Sequence, residues 1–288
     1  MKLGMLTGLW WVASRATVFE ALERTAALGF STVDLHGVFH AGPAHLSADE
    51  RLRVKRDLDR LGLEARNYVL HARHNIPSAT PAEREEDLAY LRQGIDLAAS
   101  WGTRQLMLNA GQWRPSVGRA EAWERAVSFL QSVCAYAEPR GVFILQEPEP
   151  YVWFLVDNLA SAQQMMQDVG RPNFGLLVDL GHMGLAREGV GALEPVADSI
   201  LHAHFSDHPA YQHTNQVIGT GAMPLGETLA GLRHLQIDAR LQHRGFDGLS
   251  VAFELGAPGD TIDDPDDWVR RSLAAVQTVD PELSVDGV

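Results

Sequence analysis

The chain has 288 residues, 45% hydrophobic and 21% charged, and a formal net charge of −13. That acidity argues against a polyanionic partner such as nucleic acid or an anionic membrane, and no apolar run approaches the roughly 18 residues that span a bilayer. One cysteine, Cys134, excludes an internal disulfide and points to a reducing, cytoplasmic setting.

Segments of strand character alternate eight times with segments of helical character. The opening MKLGMLTGLWWVAS has a signal-like profile, but a first strand over Leu3 to Thr7 suits the alternation better. Thr17 caps a helix that stops at Gly29. A second strand, Ser31 to Leu35, ends at His36, and His40 and His45 follow in a loop. Ser47 opens a helix to Leu61 whose basic residues interleave with Glu50, Asp57 and Asp59, which reads as an ion-paired, solvated face. Strand three, Glu64 to Leu70, runs into His71 and His74, and a long helix begins at Pro81 and ends at Gly102. Strand four, Arg104 to Asn109, leads to Trp113. A helix over Arg119 to Ala137 buries Cys134 beside Phe129, Leu130 and Val133.

Strand five, Val142 to Gln146, ends in Glu147, and a helix spans Asn158 to Val169. The stretch NFGLLVDLGHMG then supplies strand six, which closes on Asp179, with His182 three residues later. A helix is expected over Leu185 to Asp198. Strand seven, Ile200 to Phe205, carries His202 and His204. After a long loop with Asp207, His208, His213 and the Gly219–Thr220–Gly221 turn, a helix starts at Pro224. Strand eight, Leu249 to Phe253, ends in Glu254. Asp264 caps a last helix with Pro265 at its first position, and residues 280–288 are expected to be a loosely held tail.

Eight such units with no break in composition predict one domain, residues 1–288, folded as a single closed (β/α)₈ barrel. An open doubly wound sheet would alternate similarly, but the glycine-rich first turn of a dinucleotide fold is absent. Barrel chemistry sits at the C-terminal ends of the strands. Glu147, Asp179, His204 and Glu254 all stand there, on four successive strands. Three carboxylates converging in a low-dielectric mouth repel each other, and a divalent cation resolves the conflict. The oxygen-rich donor set suits Mn²⁺ first, with Mg²⁺, Co²⁺ or Zn²⁺ as alternatives. Taken alone, Asp179 could simply cap the next helix and His182 lie on a solvated loop. Several further histidines fall in the expected mouth; His71 is taken as a substrate contact. Trp113 is another, while Trp10, Trp11 and Trp153 are candidate pocket walls. The Gly219–Thr220–Gly221 turn could hold a phosphate.

These segments resemble the xylose-isomerase-like barrel superfamily of sugar isomerases and epimerases. The resemblance rests on QEPEP with Glu147, VDLGH with Asp179 and His182, HAHFSD with His204 and Asp207, the GTG turn, and VAFE with Glu254. It covers nearly the whole chain. It implies one divalent metal held by Glu147, Asp179, His204 and Glu254, with the two glutamates as acid and base and His182 touching substrate. It implies a small sugar or polyol-like ketone as substrate, isomerised or epimerised through an enediolate. The chain departs from the known 3-epimerases at Trp153 and Ala210, where they carry Glu and Arg. It departs from hydroxypyruvate isomerases at Glu149–Pro150, and it lacks the strand-end lysines of xylose isomerases proper. The alternative function is therefore a metal-dependent lyase acting on a keto-sugar, cyclitol ketone or 3-keto-glycoside. A non-catalytic sugar-binding module and an endonuclease-like repair protein stand behind it. A homo-oligomer is left open.

Overall fold

The computed structural model describes residues 1–283 and 285. Its strands are short, apolar and buried: β1 (Lys2–Leu6), β2 (Thr32–His36), β3 (Glu64–Val69), β4 (Gln105–Met107), β5 (Phe143–Gln146), β6 (Phe174–Asp179), β7 (Ile200–Phe205) and β8 (Ser250–Phe253). All pair in parallel with their sequence neighbours, and β1 closes on β8 from Lys2 opposite Ser250 to Met5 opposite Phe253. The result is a single (β/α)₈ barrel. Leu35, Ile144, Leu176 and Val251 are among the fully buried strand residues of its core.

The helices begin where side chains can satisfy their first N–H groups. Thr17, Ser47 and Thr80 each accept from the backbone of a glutamate three residues on, which reaches back in turn. Asp264 caps Pro265–Val279. On Ala48–Leu61 the basic residues pair as expected, Arg53 with Asp57 at 3.2 Å and Lys55 with Asp59.

Two register shifts matter for the site. Between β6 and β7 the pairing steps by one residue after Leu176, so Asp179 stands opposite His204 instead of Ala203. Between β2 and β3 a similar step brings Asp34 opposite Asn67. Such irregularities re-aim side chains, and here each aligns two polar residues.

Two expectations are corrected. The helix expected over Leu185 to Asp198 is a one-turn helix, Leu180–Leu185, followed by a 3₁₀ stretch, Val190–Ser199. Asp179 caps the first immediately, and Pro195 lies inside the second, where it denies an α-helix one N–H. The helix after Pro224 is split in two at Gln236, whose φ is +55°. In the stretch expected as a tail, Leu283 is fully buried, and Arg233 bonds Asp280 at 2.7 Å and Glu282 at 2.9 Å. Residues 284 and 286–288 lie outside the described residues. No helix among the described residues is long and apolar enough to cross a membrane.

Candidate metal centre

Glu147 follows β5, Asp179 ends β6, His204 belongs to β7 and Glu254 follows β8, and the barrel brings all four together. One donor atom from each lies within 4.8 Å of the others. His204 Nδ1 is 3.1 Å from Glu147 Oε1 and 2.9 Å from Glu254 Oε2. Asp179 is buried, yet only one of its oxygens is used: Oδ1 accepts from the His182 N–H at 2.7 Å and the Ser206 hydroxyl at 2.6 Å. Asp179 thus caps the helix and still presents Oδ2, a buried atom with no hydrogen-bond partner. Glu254 Oε1 accepts from Asn215 Nδ2 at 2.9 Å, and its buried Oε2 has only the contact with His204, which lacks hydrogen-bond alignment.

An orphaned buried carboxylate oxygen is costly, and two of them on residues whose donor groups lie within 4.8 Å of one another and of an imidazole fit a divalent cation. Hard carboxylate donors with one imidazole suit Mn²⁺, Mg²⁺, Co²⁺ or Zn²⁺ alike, so the donor set by itself does not choose among them.

The proton affinities are pushed apart. Burial raises Glu147 to about 7, against the pull of His204. Desolvation pushes the partly buried Glu254 up too, but His204, His182 and His213 outweigh it and hold the carboxyl below the usual range. Asp179 is also lowered: burial pushes it up, and His182 in particular pulls it down. Burial disfavours charge on His204, yet Glu147, Asp34 and Glu254 raise it well above the ordinary imidazole value. His182 is raised to about 9, because Asp179, Glu149, Glu147 and Glu254 together outweigh its burial.

A cationic His182 explains its contacts: Nδ1 donates to the Pro148 carbonyl at 3.0 Å and Nε2 to His213 Nε2 at 2.8 Å. His208 is committed as well. Its Nδ1 accepts the N–H groups of Thr214 and Asn215, so Nε2 donates to Ser206, whose hydroxyl passes the chain on to Asp179. His71 lines a cavity of about 350 Å³ at the mouth with Arg73, His74, Asn109, Gln112 and Glu149. Burial lowers His71 to about 4, so the ring is neutral at physiological pH. His74 is tied to the buried Asp87 at 3.2 Å.

Trp113 is turned into its own loop, with Nε1 donating to the Val117 carbonyl at 2.8 Å, and it does not line that cavity. Trp10 is fully buried and bonded to Asp266, a core residue and not a wall. Trp11 stacks on Phe39, which stacks on His36, and Trp153 stacks on Tyr151. Cys134 is buried, with its thiol pushed up to about 12 by burial. The Gly219–Thr220–Gly221 turn does not offer its N–H groups to a phosphate. Gly219 and Gly221 both donate to Asp207 Oδ2 at 2.8 Å, so the chain supplies its own anion.

Two residues of the site escaped sequence reasoning: Ser206, which bonds Asp179, and Asp34. Asp34 of β2 meets His202 and His204 of β7 across the barrel interior, 2.7 and 3.2 Å from their Nε2 atoms. Nothing at strand-end spacing marks it, because it lies within its strand; the only signal is a charge between the apolar Val33 and Leu35 of a strand segment.

Residues 22–279 match the family described as xylose isomerase-like TIM barrel. A fructoselysine 3-epimerase of Shigella flexneri is 24% identical, covering 98% of this chain and 99% of its own. The structure of a D-psicose 3-epimerase from Clostridium cellulolyticum H10 with D-tagatose superposes with a TM-score of 0.80 at 19% identity, covering 99% of this chain and 100% of that one. The IolI protein with a binding zinc atom does so with a TM-score of 0.80 at 15% identity, over the whole of both chains. At these identities the two structures speak for the fold.

Proposed function

This chain belongs to the xylose isomerase-like TIM barrel family, and from that premise we propose that it is a divalent-metal-dependent epimerase or isomerase of a ketose-type sugar. The observation that carries the reading is the pair Glu147 and Glu254, 3.1 and 2.9 Å from His204 Nδ1, with proton affinities pushed in opposite directions. Two carboxyl groups tuned apart in one pocket are an acid and a base. Glu147, Asp179, His204 and Glu254 would hold the ion. When bound, it supplies Lewis-acid polarisation of the substrate carbonyl and stabilises the charge that develops there.

The chain's own groups do the rest. Ionised Glu254 removes the proton from the carbon beside the carbonyl, and Glu147 returns one. Return to the opposite face gives an epimer, and the fructoselysine 3-epimerase relative favours that outcome over an aldose–ketose shift. His71 and Glu149, in the cavity beside the quartet, bind hydroxyls. A lyase needs a further acid for the departing oxygen. His208 and His74, two candidates for it, are already held by Ser206 and Asp87, which weighs toward epimerisation.

The test is incubation of the Mn²⁺-loaded protein with ketoses and fructoselysine in deuterated water, followed by NMR. Deuterium beside the carbonyl with all hydroxyls retained is expected. Glu254→Gln should lower turnover about 10²–10⁴-fold while leaving substrate bound. Loss of water or of an aglycone, with a new enone, overturns the epimerase. Near wild-type turnover in the Gln variant removes Glu254 from the chemistry.

A further inference from the structure

Asp34 is a carboxylate with no exposure at all. Its Oδ2 lies 2.7 Å from His202 Nε2, 3.2 Å from His204 Nε2 and 3.3 Å from Asn67 Nδ2. Burying a charge costs several kcal/mol unless it is well paired, and barrel interiors are usually filled with Val, Ile and Leu. Space filling therefore does not explain an aspartate at this position. Its neighbour does. The ring that faces Asp34 through Nε2 turns its other nitrogen, Nδ1, toward Glu147 and Glu254. An imidazole that binds a metal is neutral, with a proton on one nitrogen and the lone pair on the other, and the partner of the first selects which is which.

We propose that Asp34 is the positioning residue of the metal centre. By accepting the Nε2 proton of His204 it fixes the tautomer whose Nδ1 lone pair points at the three carboxylates. His202 and Asn67 hold Asp34 in place. Asn67 is aligned with it by the register step between β2 and β3. The inference rests on reading Glu147, Asp179, His204 and Glu254 as metal ligands, and it names the atom by which His204 binds. Partners of this kind behind a metal-binding histidine are typically worth about 10–100-fold in affinity.

The experiment measures the Mn²⁺ and Zn²⁺ dissociation constants of the full chain by chelator competition, with folding followed by circular dichroism. The variants are Asp34→Asn and Thr228→Val; the latter removes a buried hydrogen bond on the Leu225–His234 helix. Asp34→Asn is expected to weaken binding about 10–100-fold while Thr228→Val binds as wild type. A folded Asp34→Asn protein with affinity within about twofold of wild type overturns the proposal, as does an equal loss in Thr228→Val. If Asp34→Asn does not fold, NMR of the wild-type Zn²⁺ form with ¹⁵N-labelled histidines decides. A proton on His204 Nε2 supports the assignment, and a proton on Nδ1 overturns it. A wild-type chain that binds neither ion overturns the metal centre itself, a failure distinct from that of Asp34.

Discussion

Gly181 shows how little room the site leaves. A Cβ there would fall on the Ser206 hydroxyl and within 2.6 Å of the His208 ring, the two groups that chain to Asp179 Oδ1. Gly181→Ala is expected to destabilise the fold by about 1–3 kcal/mol through overpacking and to loosen metal retention, because the Asp179 carboxylate loses its restraint. Urea unfolding with metal analysis checks both, and unchanged metal content in a folded variant would count against the Ser206–Asp179 linkage. Residues at this scale differ in how legible they are. Glu147, Asp179, His204 and Glu254 can be picked out because a strand end followed by a loop is where a barrel exposes chemistry. Asp34 and Ser206 cannot, since their roles depend on what lies across the barrel or one register step away. Trp10 misleads for the reverse reason: an indole near a strand end suits a wall, but its N–H bonds Asp266 and the ring is fully buried in the core.

At the scale of elements, the turn after β7 organises itself around Asp207. That buried carboxylate accepts from the N–H groups of His208, Gly219 and Gly221, with Met223 N at 3.4 Å. Gly219 sits at φ +84°, and a Cβ on Gly221 would strike Asp207 itself, so the glycines are there to let the loop wrap its own anion. Hydrogen bonds to a charged group contribute about 1.5–3 kcal/mol each. Asp207→Ala should therefore speed amide hydrogen exchange at Gly219 and Gly221 at least about tenfold, measurable by NMR. Exchange at the wild-type rate would mean that the loop is held by something else. The glycine turn looks alike in sequence whether its guest is a phosphate or an aspartate from the same chain. The strands were readable to within a residue or two because a short apolar run bounded by turn residues has few other uses. The helix after β6 was not: its cap is a residue that also serves the site.

For the molecule as a whole, stability should fall in acid. His40 is buried between the Ala16 carbonyl and the Thr7 hydroxyl, 3.0 and 2.9 Å away, and burial lowers it to about 4. An unfolded histidine titrates near 6.5. Between those values the unfolded chain takes up the proton first, so the contribution is complete above about 6.5 and is lost as the pH falls toward 4. The loss is on the order of 2 kcal/mol. Urea midpoints at pH 7.5 and 5 check it: His40→Gln should lose less on acidification than wild type, and an identical loss in both would exonerate His40. A different consequence follows from the closure of β1 on β8, Lys2 to Met5 against Ser250 to Phe253. Those partners are the first and the last strands of the barrel in chain order. Without the eighth strand the sheet would have two unpaired edges. Glu254 is the very next residue. Sealing the ring and delivering the last carboxylate of the candidate centre therefore depend on the same strand, and a chain cut before β8 would lack both.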